Sequence, residues 1–509
     1  MAMVRSVRET GNGQVVASKP IVAAHRIASN ATTYTLALVA KKLLTFVYLV
    51  IVARYAGVNV TGLFFLVLAY GTLFLTFSDF GLTSVFIRDT ARRPEDCERT
   101  FSETLSVKLL LTSILLPLIL VVLNVLDYPP ITKNLTYIVV LSQILASLSQ
   151  TFFGCFRAMQ RLHYEAVGLV VGSVLTLSVC FLAVYFNLSV YYLIFAVALD
   201  GLFNFVFSAV LVATKLRIVP RVAITREVVF RLVPVALPFA LSAIFMRIYS
   251  LDIVLVSRFM DETHVAWYSV ASRLAGSMRL VPLALGTILF PVFSVSHYTD
   301  RERMVRTFQR SEYLLMWLVI PVAAGGLLLA APIIEVIFGA DYEQSVVPFQ
   351  VMCMALIPIF LSYPLISLLN AIGGQKASAF NLAAAIAVHV ASSVVLIPKM
   401  GIVGAALSFG VSNLTLLVLC QYSASRFAVA GWGSWGQWLK AIGLGTAAMA
   451  GTVWIVKDIV YLPLVIALGG MVYVGGTVLL MRRGWASGAG GFSERKSIRE
   501  LLATLREIW

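Results

Sequence analysis

Residues 34–57 read YTLALVAKKLLTFVYLVIVARYAG. A run this long and apolar meets the ~20 residues that a helix needs to cross a bilayer. It holds two adjacent lysines, Lys41 and Lys42, which helical rise puts roughly 15 Å inside the span. A cation at that depth is costly and points to a water-filled path, a ligand or a counter-charge.

Similar runs follow along the chain, at 61–87, 104–126, 135–156, 166–186, 190–214, 232–257, 264–293, 312–335, 346–369, 377–397, 402–425, 438–456 and 459–481, with the first at 31–56. The 509 residues are 60% hydrophobic and 12% charged, with mean hydropathy +0.92. This composition excludes a soluble domain and predicts an all-α polytopic membrane protein of about fourteen spans.

The net charge of +15 is a topology signal and not a nucleic-acid surface. Arg88, Arg92, Arg93, Arg157, Lys215, Arg221, Arg301, Lys376 and both tails fall on one side of the predicted spans. Lys133, Arg258, Lys399 and Lys457 fall on the other. The positive-inside rule makes both termini cytoplasmic in a cell membrane. The five cysteines form no CxxC pair, so neither a disulfide framework nor a zinc site is expected.

Two segments resemble each other at a distance. Arg54-Tyr55-Ala56-Gly57 precedes Gly62-Leu63-Phe64, and Arg258-Phe259-Met260-Asp261 precedes Ala266-Trp267-Tyr268 with the same spacing. An even number of spans separates the copies, so the repeat is parallel. It predicts two six-helix lobes around a central cavity. The boundaries are a cytoplasmic tail at 1–30, lobes at 31–214 and 232–426, a linker at 215–231, and two extra spans at 437–482. In the tail 483–509, Ile498, Leu501, Leu502, Leu505 and Ile508 share a helical face, which predicts an amphipathic helix on the cytoplasmic surface.

Lys41, Lys42, Arg247, Arg273 and Arg279 are the cations deep inside spans. Lys41 shares a stripe with Tyr34, Thr45 and Tyr48, and Lys42 with Val39, Phe46 and Leu49, so Lys41 is the better cavity candidate. Together these residues suit a phosphate-bearing anion, Arg through its planar fork and Lys as a point charge. The competing reading is internal pairing with Asp79, Asp200 or Asp252, which are also candidates for ion coupling. Arg54 and Lys108 sit near span ends and read as structural, and His389 reads as packing. The sequence has no Gly-rich phosphate loop, metal-ligand spacing or nucleophile constellation, so no cofactor or catalysis is expected. The coupling ion, H+ or Na+, stays open.

The order of several short pieces resembles the polysaccharide flippases of the multidrug/oligosaccharidyl-lipid/polysaccharide exporter superfamily. They are Ala53-Arg54-Tyr55-Ala56-Gly57, Ser78-Asp79-Phe80-Gly81-Leu82, Arg247-Ile248-Tyr249-Ser250-Leu251-Asp252, Trp267-Tyr268-Ser269-Val270-Ala271, Asn370-Ala371-Ile372-Gly373 and Ile397-Pro398-Lys399-Met400-Gly401. The resemblance implies alternating access and a lipid-linked oligosaccharide substrate on a polyprenyl pyrophosphate. It also implies membrane lipids, glycosyltransferases or a glycan polymerase as partners, and a monomer. The lipid II branch carries more arginines in its first helix, so the general polysaccharide branch fits better. A multidrug exporter of the same superfamily is the alternative, and a membrane-embedded polymerase or glycosyltransferase a more distant one.

The topology is testable with Arg221→Cys and Asn187→Cys variants in intact vesicles. An impermeant thiol reagent should label them from opposite sides, and labelling of both from the outside would contradict the span assignment.

Overall fold

A computed structural model describes residues 18–426, 436–457 and 459–482. The amphipathic helix expected in 483–509 lies outside the described residues. Those residues form helices and connections, with no strand among them. In hydrocarbon every backbone N–H and C=O must be satisfied within the protein, and a helix does this within one segment.

The helices up to the linker are α1 (Ser18–Tyr55), α2 (Val58–Asp79), α3 (Leu82–Arg92), α4 (Cys97–Val125), α5 (Pro130–Ala158), α6 (His163–Tyr185) and α7 (Val190–Leu211). Then come α8 (Arg226–Met246), α9 (Ile248–Phe259), α10 (Glu262–Ser277), α11 (Leu280–Thr299), α12 (Arg301–Phe338), α13 (Val346–Ala371) and α14 (Gln375–Arg426). The last two are α15 (Gly436–Val456) and α16 (Leu462–Arg482). Among the described residues, thirteen helical stretches are long and apolar enough to cross a membrane. One of them, α14, has 52 residues and turns back at Gly401, where φ is 60° and ψ −139°. Its two arms pack together through Ser412 Oγ donating to the Ala385 carbonyl (3.0 Å). It therefore supplies two crossings.

Several boundaries differ from the sequence reading. Helix α1 starts at Ser18, well before the expected end of the tail at residue 30. Pro20 fits the first helical turn, and Ala23, Ala24 and Ala28 favour extension once the apolar span has nucleated the helix. The connection expected at 294–311 is reduced to Asp300, whose carboxylate accepts from the Arg303 N–H (2.8 Å) and caps α12. The seventh and eighth spans are each broken. Arg247 stands between α8 and α9, and Met278 and Arg279 between α10 and α11. At both breaks the chain closes with tight turns, Arg247 N–H to the Ile244 carbonyl (2.9 Å) and Arg279 N–H to the Gly276 carbonyl (3.3 Å).

Helix α5 packs on α2 and α7, and α6 on α1 and α7. Beyond the linker, α13 packs on α11, α12 and α14, and α15 and α16 pack on each other and on α12. The linker main chain lies along α4, with Arg221 and Ala223 N–H groups donating to Ser102 Oγ (3.1 Å) and Ser106 Oγ (2.8 Å).

Helix α2 joins the two halves of the chain at both of its ends. Near its start, a Cβ on Gly62 would sit 1.7 Å from the Glu262 carbonyl oxygen. Beyond its other end, a Cβ on Gly81 would sit 2.7 Å from Phe239 Cβ and 2.8 Å from Ala240 N. The turn after α1 and the turn after α9 meet at the Gly62 end. There Thr263 Oγ1 donates to Asn59 Oδ1 (2.6 Å) across 204 residues. These are equivalent positions of the two resembling segments, and a two-fold relation brings equivalent positions together at its axis.

The Gly62 contact is a hard steric limit. Gly62→Val should hold the Asn59 and Thr263 turns apart, and spin labels on the outer ends of the two halves should report a longer distance than in the parent protein. An unchanged distance would show that this contact does not set the spacing.

Candidate functional site

The intramembrane cations divide by partner. Lys108 is fully buried, and its ammonium is held by Asp79 Oδ1 (2.6 Å), Thr151 Oγ1 (2.7 Å), the Ser147 carbonyl (2.8 Å) and Thr83 Oγ1 (3.0 Å). Thr83 also donates to Asp79. This cluster ties α2, α3, α4 and α5 together. Lys108 is thus several turns inside α4, deeper than the span-end position read from the sequence. Arg54 donates from Nε to the Ile337 carbonyl (2.8 Å) and also reaches the Val336 carbonyl. A cation at the C-terminus of α12 satisfies carbonyls that have no partner in the helix.

Lys41 Nζ lies 3.6 Å from Asp200 Oδ2 on α7. Lys42 projects elsewhere and lies close enough to Arg247 for the two cations to repel. The stripe argument favoured Lys41 for the cavity, and the structure instead sets Lys42 beside Arg247. The reason is tertiary: the face that Lys41 occupies is the one α1 presents to Asp200.

Lys42 and Arg247 are both exposed, yet protein surrounds much of each side chain. They come from opposite halves of the chain, and among the described residues neither has an acidic partner. Arg273 lies about 9 Å farther along α1, level with Tyr48. Its guanidinium stacks over the Phe65 ring at 4.4 Å from the centroid. Its Nε is buried and has no hydrogen-bond partner among the described residues. Arg279 lines a different cavity of about 460 Å³ with Ser242, Tyr363, Asn370 and Asn413, and faces Phe409 at 6.0 Å.

Asp252 is fully buried in a network with Tyr268, His389 and Ser393. The sequence reading missed His389 as a functional group, because its partner lies 137 residues away. It also left Glu165 unmentioned, a buried acid that accepts from Arg157 Nε (2.6 Å) and Tyr34 Oη (3.1 Å). Glu165 lies in the first turn of α6, just before the apolar run at 166–186, so depth in a span did not single it out.

The pattern of paired and exposed cations sits in a recognisable frame. Residues 27–297 match the model of a family described as polysaccharide biosynthesis protein. The chain belongs to this family. A putative O-antigen transporter of Shigella flexneri is 26% identical over 178 residues, 34% of this chain and 42% of the relative. A probable low-salt glycan biosynthesis flippase, Agl15, of Haloferax volcanii is 25% identical over 180 residues, 35% and 38% of the two chains. The chain thus spans about two fifths of the length of these curated relatives. Among solved structures, the lipid II flippase MurJ in an inward closed conformation superposes with TM-score 0.70 over 88% of this chain and 99% of that one, at 15% identity. An inward-facing multidrug resistance MATE transporter gives 0.61 over 76% and 94%, at 16% identity. At these identities the two structures share the fold.

The Lys108 cluster reads as structural, which a double substitution can test. Lys108→Met should destabilise the protein by about 3–5 kcal/mol, because Asp79 is left as an uncompensated buried charge. Adding Asp79→Asn should restore most of the loss in thermal unfolding. A double variant no more stable than the single one would contradict the pairing.

Proposed function

We propose that this family member moves a lipid-linked oligosaccharide across the membrane, and that Lys42, Arg247 and Arg273 hold its diphosphate. The observation that carries this reading is the juxtaposition of Lys42 and Arg247. Two like charges from opposite halves are set together, and the described residues supply no counter-ion. A doubly anionic group bound between them removes the repulsion and supplies the missing hydrogen-bond acceptors. Lys41 stands beside Lys42, and Asp200 holds it until substrate competes. The printed functions of the curated relatives, an O-antigen transporter and a glycan flippase, fit such a substrate.

Anchoring between the halves explains how binding reaches conformation. A ligand that touches both halves binds best when they are close, so its occupancy biases the rocking equilibrium. Contacts at Gly62 and Gly81 close the two ends of α2, and opening either one exposes the cavity to one side. With the basic loops cytoplasmic, loading occurs at the Gly81 end and release at the Gly62 end. The helix break at Arg247 suits this work, because a discontinuous helix places charge at a transport site.

Export of organic cations is less well supported. Among the described residues, Asp79, Asp200 and Asp252 lie beside Lys108, Lys41 and His389. A drug cation would have to displace one of these partners.

Transport of a fluorescent or radiolabelled lipid-linked oligosaccharide into the outer leaflet of proteoliposomes tests the proposal. Arg273→Ala and Arg247→Ala should abolish flipping while the protein remains in the membrane. Arg273→Lys should keep part of it, since it preserves charge but loses the planar fork. Normal flipping by both Ala variants would rule out the cationic site.

A further inference from the structure

The cavity beside Arg279 takes no part in holding the diphosphate. It has a volume of about 460 Å³ and is lined by α8, α11, α13 and both arms of α14. Helix α8 packs on α14 and α11 on α13. Ser242, Thr287 and Phe290 line the cavity and are exposed, whereas Arg279 and Asn413 are buried (7% and 2% exposed). The cavity therefore has its mouth between α8 and α11 and Arg279 at its inner end. Phe245 and Ser242 stand two and five residues before Arg247. Helical rise puts them roughly 3 and 8 Å from Arg247, toward the linker.

We propose that this cavity receives an acidic sugar of the glycan, with Arg279 pairing the sugar carboxylate. That the sugar arrives on a lipid carrier rests on the flippase reading. Among the described residues lining the cavity, Arg279 is the only charged one. A guanidinium takes a carboxylate through two parallel N–H···O bonds. Phe409 lies under the Arg279 guanidinium at 6.0 Å and helps to hold its plane.

The other polar groups define the rest of the ligand. Four hydroxyls already donate to main-chain carbonyls: Ser242 to Pro238 (3.1 Å), Thr287 to Ala284 (2.7 Å), Ser362 to Pro358 (2.7 Å) and Ser367 to Gly286 (3.0 Å). Their remaining capacity is to accept. Asn413 Nδ2 donates to the Phe409 carbonyl (2.8 Å), which leaves Oδ1 as an acceptor as well. Such a lining suits a ligand that brings several O–H donors. Phe245, Phe290 and Tyr363 offer apolar faces for the C–H side of a ring. One carboxylate, several hydroxyl donors and an apolar ring face describe a uronic acid.

Other occupants fit this lining less well. A diphosphate brings charge but few donors for the hydroxyl oxygens. A lipid tail would set Arg279 and Asn413 against hydrocarbon, which is costly for polar groups. A cationic drug meets like charge, and a neutral sugar gains nothing from it. The two cationic sites also stay separate, since Arg273 stacks on Phe65. A glycan whose diphosphate sits at Arg247 passes Phe245 and Ser242 on its way into the cavity. The diphosphate site then serves every substrate with this carrier, and the cavity selects among glycans.

The test uses the full-length protein and two polyprenyl diphosphate-linked disaccharides, identical except that one carries glucuronic acid where the other carries glucose. Flipping in proteoliposomes should favour the glucuronyl substrate by about tenfold. Arg279→Gln should bring that ratio to about one, and Arg279→Lys should keep part of it. If Arg279→Gln folds poorly, Thr287→Trp fills the mouth of the cavity with the charge intact, and it should remove the preference too. A second readout needs no flipping. In nanodiscs, methyl glucuronide should protect Thr287→Cys from an impermeant thiol reagent, and methyl glucoside should not. Adding Arg279→Gln should remove the protection. The five native cysteines are buried and do not compete for reagent. Equal flipping of the two substrates by the parent, a ratio that survives in these variants, or equal protection by the two glycosides would overturn the proposal. Protection by the glucuronide alone, with neither substrate flipped by the parent, would overturn the flippase reading and leave the acidic-sugar site standing.

Discussion

A charge taken out of water costs several kcal/mol unless a counter-charge or a set of hydrogen bonds replaces its solvation. Lys108 shows the full form of that replacement, with a carboxylate, two hydroxyls and a carbonyl around one ammonium. Arg54 shows a cheaper form at a helix terminus, where free carbonyls already exist. Lys42, Arg247 and Arg273 lack either arrangement among the described residues. Under the proposed function, a bound diphosphate supplies what they lack.

The same constraint shapes the backbone. The seventh and eighth spans break at Arg247 and beside Arg279, although each reads as one apolar run. The break at Arg247 has no proline after it, whereas at the second break Pro282 lacks the N–H that would bond the Met278 carbonyl. A cation near the end of a half-helix meets its terminal carbonyls favourably, so the breaks and the charges support each other. Around this centre, α2 holds the halves at Gly62 and Gly81, where no side chain intervenes. Close backbone contact at both ends sets how near the halves approach in this structure.

Much of the fold was legible in the sequence because membrane spans announce themselves by length and hydropathy. The fourteen runs and the resembling turns at Arg54 and Arg258 required only local reading. The site was partly legible. Depth alone marked Lys41, Lys42, Arg247, Arg273 and Arg279 as unusual, and the stripe argument ranked Lys41 above Lys42. It did not assign Lys41 to Asp200, because which face of α1 meets α7 depends on packing between distant segments. It gave no hint that His389 pairs with Asp252, since hydrogen-bond partners on separate helices leave no periodic signal. The break at Arg247 was hidden because an apolar run looks the same whether one helix or two fill it, while Pro282 was a visible signal for the break at Met278.

The central claim is that anion binding between Lys42 and Arg247 joins the two halves. A structure of the purified protein with a polyprenyl diphosphate-linked oligosaccharide bound in nanodiscs tests it most directly. The account predicts density for the diphosphate within hydrogen-bond distance of both side chains, with the Arg273 guanidinium turned toward it. A diphosphate seated in the Arg279 cavity, with Lys42 and Arg247 contacting only water, would contradict it.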